Sequence, residues 1–155
     1  MDIAMIKGSL DGAGMKIALI ASRFNGFVVD ALVTGAKQAL LDNGVAAEDI
    51  SYMSVPGALE ISVVAEKAAA SKKYDGIIAI GAIIRGETYH FEIVANESAR
   101  GLADVASRHG LPVLNGVITT NDEAQAMARA GTGRDNKGAE AAVGAIEMVN
   151  LLRQV

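Results

Sequence analysis

The sequence predicts a three-layer α/β domain in which a parallel sheet carries helices on both faces. Four short β-like apolar runs alternate with helical patterns along the chain. Strands that alternate with helices make β-α-β crossovers and therefore parallel pairs. The third run, GIIAIGAII at residues 76–84, is apolar throughout, as a strand covered on both faces requires.

The elements follow in order. Residues 16–22 (KIALIAS) read as a buried strand, and residues 27–43 as a helix stopped by Gly44. Residues 50–55 form the second strand, closed by Pro56 and Gly57. Over residues 58–71, Ile61, Val64, Ala65 and Ala68 recur at i, i+3, i+4 and i+7, one helical face. Glu66 and Lys67 fall outside that set and are expected on the solvated face. After the third strand, residues 91–109 are helical and end at Gly110, and residues 111–120 form the fourth strand. Asn121 is the expected N-cap of a helix over residues 122–130, which Gly131 terminates. A last helix spans residues 138–153. The first dozen residues are a candidate edge strand, in this sheet or on a neighbouring subunit.

Composition narrows the functional classes. A chain of 155 residues fits one domain, residues 1–155, able to bury roughly 70% of its unfolded surface. Hydrophobic residues are 51% and charged ones 21%, which favours a packed core over disorder. Aromatics are 4% and Trp is absent, so the core is aliphatic and Ala-rich. Without Cys the chain has no disulfide, thiolate zinc site or cysteine nucleophile, and two His are too few for a His-rich metal site. A net charge of −4 argues against a nucleic-acid footprint. The longest apolar stretch, residues 76–84, falls far short of the ~20 residues of a spanning helix. Residues 1–10 lack the pattern of a signal peptide, so the expected compartment is the cytoplasm.

In open α/β sheets, ligands bind outside the carboxyl ends of the strands. Those ends carry Arg23, Phe24 and Asn25 after the first strand and residues 56–60 (PGALE) after the second. Residues 85–90 (RGETYH) follow the third, and Asn115, Thr119, Thr120 and Asn121 lie within and after the fourth. Each has a functional and a structural reading. His90, at a helix start, is a candidate proton carrier or an exposed capping residue. Gly86, Glu87 and Thr88 offer free N–H groups and a hydroxyl, an anion pocket or an ordinary helix entry. Phe24 lies in a polar loop, where stacking on a ligand competes with a small surface cluster. Glu60 in a first turn is favoured by the helix dipole in any case. His109 suits the negative end of its helix and is read as structural, and Arg129 and Lys137 flank the loop at residues 131–136. Gly12, Ala13 and Gly14 precede their strand instead of following it, which rules out a dinucleotide fingerprint. Clustered Asp residues, which a phosphorelay receiver needs at its strand ends, are missing; Asp30 sits well inside a helix. Composition and spacing alone lead to an α/β domain that binds a small anionic ligand.

The same loops carry a combination that resembles the lumazine synthase family. It comprises RFN at residues 23–25, VPGALE at 55–60, GAIIRGETYHFE at 81–92 and GVITT at 116–120. RAGT at 129–132, NKGAEAA at 136–142 and AIEM at 145–148 complete it. The likeness runs in order from Ile6 to Leu152, and the block at residues 84–91 is its most specific part. The resemblance implies a flavodoxin-like subunit that assembles into homopentamers, sometimes twelve of them in an icosahedral capsid. It implies a transferase of the penultimate step of riboflavin biosynthesis. There, 5-amino-6-(D-ribitylamino)uracil condenses with 3,4-dihydroxy-2-butanone 4-phosphate to 6,7-dimethyl-8-ribityllumazine, phosphate and water, without a metal or organic cofactor.

The resemblance also assigns roles. Phe24 stacks on the pyrimidine, Ala58, Leu59 and Glu60 hold the ribityl chain, and Ala82, Ile83 and Ile84 line the uracil pocket. Glu87, through its N–H, and Thr88 take the phosphate, and His90 moves protons. Asn115, Arg129 and Lys137 come from the adjacent subunit, Arg129 on the phosphate and Lys137 near the pyrimidine. At Asn115 many relatives carry Phe, so this chain lacks an apolar wall there. A binding or carrier module on the same fold is the competing class, and His90, Arg129, Thr88 and Glu60 together favour the enzyme. The short loop at residues 132–136 favours the capsid over a free pentamer.

Overall fold

The computed structural model describes residues 1–131 and 135–155. Strands β1 (Ile17–Ser22), β2 (Ile50–Val55), β3 (Gly76–Ile84) and β4 (Val113–Thr120) form one all-parallel sheet in the order β2-β1-β3-β4. Helices α1 (Gly26–Asp42), α2 (Ile61–Ser71), α3 (His90–His109), α4 (Glu123–Ala128) and α5 (Lys137–Leu152) alternate with them. This is the expected three-layer α/β architecture, consistent with a flavodoxin-like fold.

Side chains of the central strand divide between the two faces with the period of two that a strand dictates. Ile17 and Leu19 pack with Ile78, Ile80, Leu32, Leu40 and Ile146 under α1 and α5. Ala18 and Ile20 pack with Ile77, Ala79, Ile61 and Leu102 under α2 and α3. Each fully buried Ile or Leu contributes about 1.5–3 kcal/mol. Close approach of α5 to α1 depends on Gly138, where a Cβ would lie 2.0 Å from the Leu32 carbonyl oxygen. The neighbouring Lys137 N donates to the Arg129 carbonyl at 2.8 Å.

The strand order positions the site. After β1 the chain returns through α1 to β2 on one side, and β3 is then added on the other. The helices that leave β1 and β3 cover opposite faces, so a crevice opens between the carboxyl ends of those two strands.

Several local expectations need correction. Residues 1–10 form no strand within this chain. Part of this segment is held on α5 instead, where Asn150 Nδ2 donates to the carbonyls of Ser9 and the adjoining Asp11 and Gln154 Nε2 to that of Lys7. β4 begins at Val113, because Pro112 has no N–H to donate and uses its carbonyl to accept from Ile77 N. A short 3₁₀ turn, Ala58–Glu60, precedes α2. The cap of α4 is Asp122 and not Asn121: Asp122 Oδ1 accepts from Gln125 N at 2.8 Å. α4 ends at Ala128, short of Gly131, because Ala130 pairs back with Asn136 in an isolated bridge.

Glu66 lies off the apolar stripe as expected, with 35% of its side chain exposed, but it is engaged there. Its carboxylate joins α2 to the end of α3 through Arg108 and His109. The hydrogen bond from His109, and then that from Arg108, holds it below the usual carboxylate range. His109 is therefore structural, as expected. Thr132, Gly133 and Arg134, central to the expectation about capsid packing, lie outside the described residues. Among the described residues, no helix is long and apolar enough to cross a membrane.

Candidate active site

A cavity of about 480 Å3 fills the crevice at the carboxyl ends of β1, β2 and β3, a size suited to a small molecule. Phe24, Ala58, Leu59, Glu60, Ala82, Ile83, Ile84, Thr88 and His90 all line it. Three loops distant in sequence are thus brought to one place. Backbone bonds from Arg23 N to the Val55 carbonyl (2.8 Å) and from Phe24 N to the Pro56 carbonyl (3.2 Å) join the first two.

Phe24 is 72% exposed. A large ring with so little packing in its own chain presents a free face at the mouth of the cavity. Glu60 begins the path into α2, its N–H bonded to the Gly57 carbonyl at 3.1 Å. Opposite, β3 runs out into residues 85–89, and His90 opens the long helix α3. His90 N donates to Thr88 Oγ1 at 3.4 Å. The N–H groups of Gly86, Glu87 and Thr88 have no internal acceptor among the described residues, and they stand at the positive end of α3. Gly86 and Thr88 line the cavity, whereas Glu87, expected to offer its N–H there, does not. The arrangement can hold an anion at the helix start, a flat ring beside Phe24 and a polyhydroxylated chain beside Glu60, with an imidazole within the same cavity.

Asn115, Arg129 and Lys137 line none of this cavity. They lie around a second hollow along β4, with Thr119, Glu140 and Gly144. β4 is an edge strand of the sheet. Asn115 Oδ1 accepts from Val117 N at 3.0 Å, Arg129 Nη1 donates to the Gln125 carbonyl at 2.9 Å, and Lys137 pairs with Glu140 at 3.0 Å.

Sequence reasoning placed Asn25 at the end of the first strand but gave it no role. It lines the cavity in a left-handed conformation, φ 60° and ψ 43°, and its Nδ2 donates to the Ala82 carbonyl at 2.8 Å. It ties the turn that carries Phe24 to the end of β3. A signal was present, since Asn tolerates that conformation better than most residues and here directly precedes a helix. Phe91 and Val94, on the first turns of α3, also line the cavity.

A parallel sheet with its pocket at the topological switch point, and an imidazole beside a helix start with free N–H groups, fit an α/β enzyme with a small-molecule site. The chain matches the family described as 6,7-dimethyl-8-ribityllumazine synthase over residues 14–153. It belongs to that family of transferases, which implies lumazine synthase activity in riboflavin biosynthesis.

Proposed function

We propose that the chain condenses 5-amino-6-(D-ribitylamino)uracil with 3,4-dihydroxy-2-butanone 4-phosphate, releasing phosphate and water, in a site shared by two copies of itself. The observation that supports this best is the division of the site residues between two surfaces. One surface of the chain carries Phe24, Glu60, Thr88 and His90, and the other carries Asn115, Arg129 and Lys137. A second copy that sets its β4 edge against the first cavity completes the constellation. Exposed apolar residues support such a cover: Phe24 and Leu59 line the cavity, and Phe27, Val63, Tyr89 and Ile93 lie at or near the starts of the helices that leave its loops. The full assembly is a homopentamer, and the shortness of the loop at residues 132–136 permits twelve pentamers to form an icosahedral shell. The enzyme works in the cytoplasm and uses no metal or organic cofactor.

In this site Phe24 stacks on the pyrimidine, while Ala82, Ile83 and Ile84 present backbone groups to the uracil edge. Ala58, Leu59 and Glu60 hold the ribityl chain, the Glu60 carboxylate accepting from its hydroxyls. The phosphate of the four-carbon substrate rests on Glu87 N–H and Thr88, facing Arg129 of a second copy. The 5-amino group of the uracil attacks the ketone and water leaves to give an imine. His90 carries protons during that step and during phosphate elimination, and ring closure expels further water. The helix start and Arg129 both stabilise the departing dianion. Holding two substrates in register supplies up to roughly 7–11 kcal/mol in well-oriented cases.

Mixing the purified protein with the two substrates tests the reading. The lumazine chromophore should appear together with an equimolar amount of phosphate. A protein that binds lumazine or flavin yet never generates the chromophore is a carrier, and the proposal is then wrong.

Asn115 carries a second expected outcome. In the shared site its amide stands where an aromatic face would contact the substrates, and a stacked aromatic contact adds ~0.5–1.5 kcal/mol beyond its area. Asn115→Phe also removes the acceptor for Val117 N–H, a loss that offsets part of the stacking gain. The substitution should tighten binding of the uracil substrate a few-fold and leave the phosphate substrate nearly unchanged. Titration calorimetry of each substrate separates the two, and a clear loss of uracil affinity would show instead that the amide makes a specific polar contact.

A further inference from the structure

We propose that Arg85 and Asn121 are positioning residues that hold the loop at residues 86–88 in its phosphate-accepting shape. This rests on the assignment of that loop to the phosphate. The loop has no internal bonds to keep it in place. The N–H groups of Gly86, Glu87 and Thr88 donate to no internal acceptor among the described residues, and a Cβ on Gly86 would meet open space. Its shape is therefore imposed from its ends.

At the end toward the helix, Thr88 Oγ1 accepts from His90 N. At the other end stands Arg85, held from four directions. Its backbone N–H donates to the Thr120 carbonyl at 2.8 Å, and Nε donates to Asn121 Oδ1 at 3.0 Å. Nη1 lies 3.5 Å from Glu92 Oε1, and the guanidinium carbon sits 4.6 Å from the centre of the Phe91 ring. Phe91 lines the cavity and Glu92 is on the first turn of α3. One planar guanidinium thus spans the loop, linking the end of β4 to the start of α3. Lys, a single point charge on a flexible stem, cannot reproduce that set of contacts.

Asn121 is the fixed post of this clamp. Its side-chain oxygen is free for Arg85 because Asp122 takes the capping role on α4. Its own N–H donates to Gln125 Oε1 at 2.8 Å, and the Gln125 carbonyl accepts from Arg129 Nη1 at 2.9 Å. The hydrogen-bonded chain from Arg85 through Asn121 and Gln125 therefore also holds Arg129, the other group assigned to the phosphate. In each chain the same turn after β4 therefore holds its own loop at residues 86–88 and the Arg129 that it offers to the neighbouring copy's site.

The test uses the assembled protein and inorganic phosphate as the probe, with steady-state kinetics for both substrates. Asn121→Leu keeps the side-chain size and removes the acceptor, and Asn121→Asp keeps the acceptor. Asn121→Leu should weaken inhibition by inorganic phosphate and raise the KM of the phosphate substrate about three- to tenfold, the worth of one hydrogen bond. The KM of the uracil substrate should stay as in the parent, and Asn121→Asp should restore parental behaviour. If Asn121→Leu does not fold, Arg85→Lys gives the same split between the two substrates. Parental phosphate affinity in Asn121→Leu or Arg85→Lys, or equal damage toward both substrates, overturns the proposal, as does failure of Asn121→Asp to rescue. Thr88→Val is the control for the underlying assignment. If it leaves phosphate affinity unchanged, the loop is not the phosphate site and the assignment itself has failed. If it weakens phosphate while Asn121→Leu does not, only the positioning role is lost.

Discussion

A His90→Ala variant should fold and assemble like the parent and turn over at least ~tenfold more slowly, since a positioned proton carrier is worth roughly 10²–10⁴-fold. Structural damage should be small because His90 is exposed and opens α3 without capping it by its side chain. The contact it makes with Thr88 uses the backbone N–H, which Ala retains. The loss should fall on kcat, with inorganic phosphate affinity near the parental value, because the phosphate loop and its clamp are untouched. Progress curves of lumazine formation across pH give the measurement. Unchanged kinetics would return His90 to the role of an exposed helix-start residue.

The second large effect is complementation. Arg129→Ala and Phe24→Ala each damage one half of a shared site, and they do so on different surfaces of the chain. Homomers of either variant should be weak enzymes, because every site contains a damaged half. When the two are unfolded together and refolded as a mixture, some junctions pair an intact cavity face with an intact β4 edge. Those junctions recover activity, so the mixture should exceed either homomer several-fold. Native mass spectrometry verifies that mixed assemblies have formed. Mixed assemblies without recovered activity would mean that each chain holds a self-contained site, with Arg129 reaching its own cavity after a rearrangement.

Much of the site was legible because it lies in loops that strand ends must present. Phe24, Glu60, Thr88 and His90 follow apolar runs whose strand character is plain, and all four line one cavity. The misread positions share one cause, a partner far along the chain. Asn121 and Asp122 are equally good caps by residue type. Gln125 selects Asp122, and Arg85, 36 residues away, engages the Asn121 oxygen. Glu66 lies off the apolar stripe of its helix and reads as solvated, yet Arg108 and His109 at the end of another helix engage it. Asn25 looks like any polar loop residue until its amide is seen on the Ala82 carbonyl of β3, 57 residues away.

By itself, then, the sequence determined the alternation of strands and helices, the apolar character of the two central strands and the identity of the loops at their carboxyl ends. These follow from periodicity and turn chemistry within a dozen residues, which any stretch of chain displays locally. Tertiary structure alone decided which loops meet. The order β2-β1-β3-β4 puts β1 beside β3 and opens the crevice there, and it leaves β4 as an edge that carries Asn115 toward a second surface. It likewise separated Arg129 and Lys137 from His90 within one chain. Local patterns cannot encode that separation, because strand order depends on packing between segments that are remote in sequence.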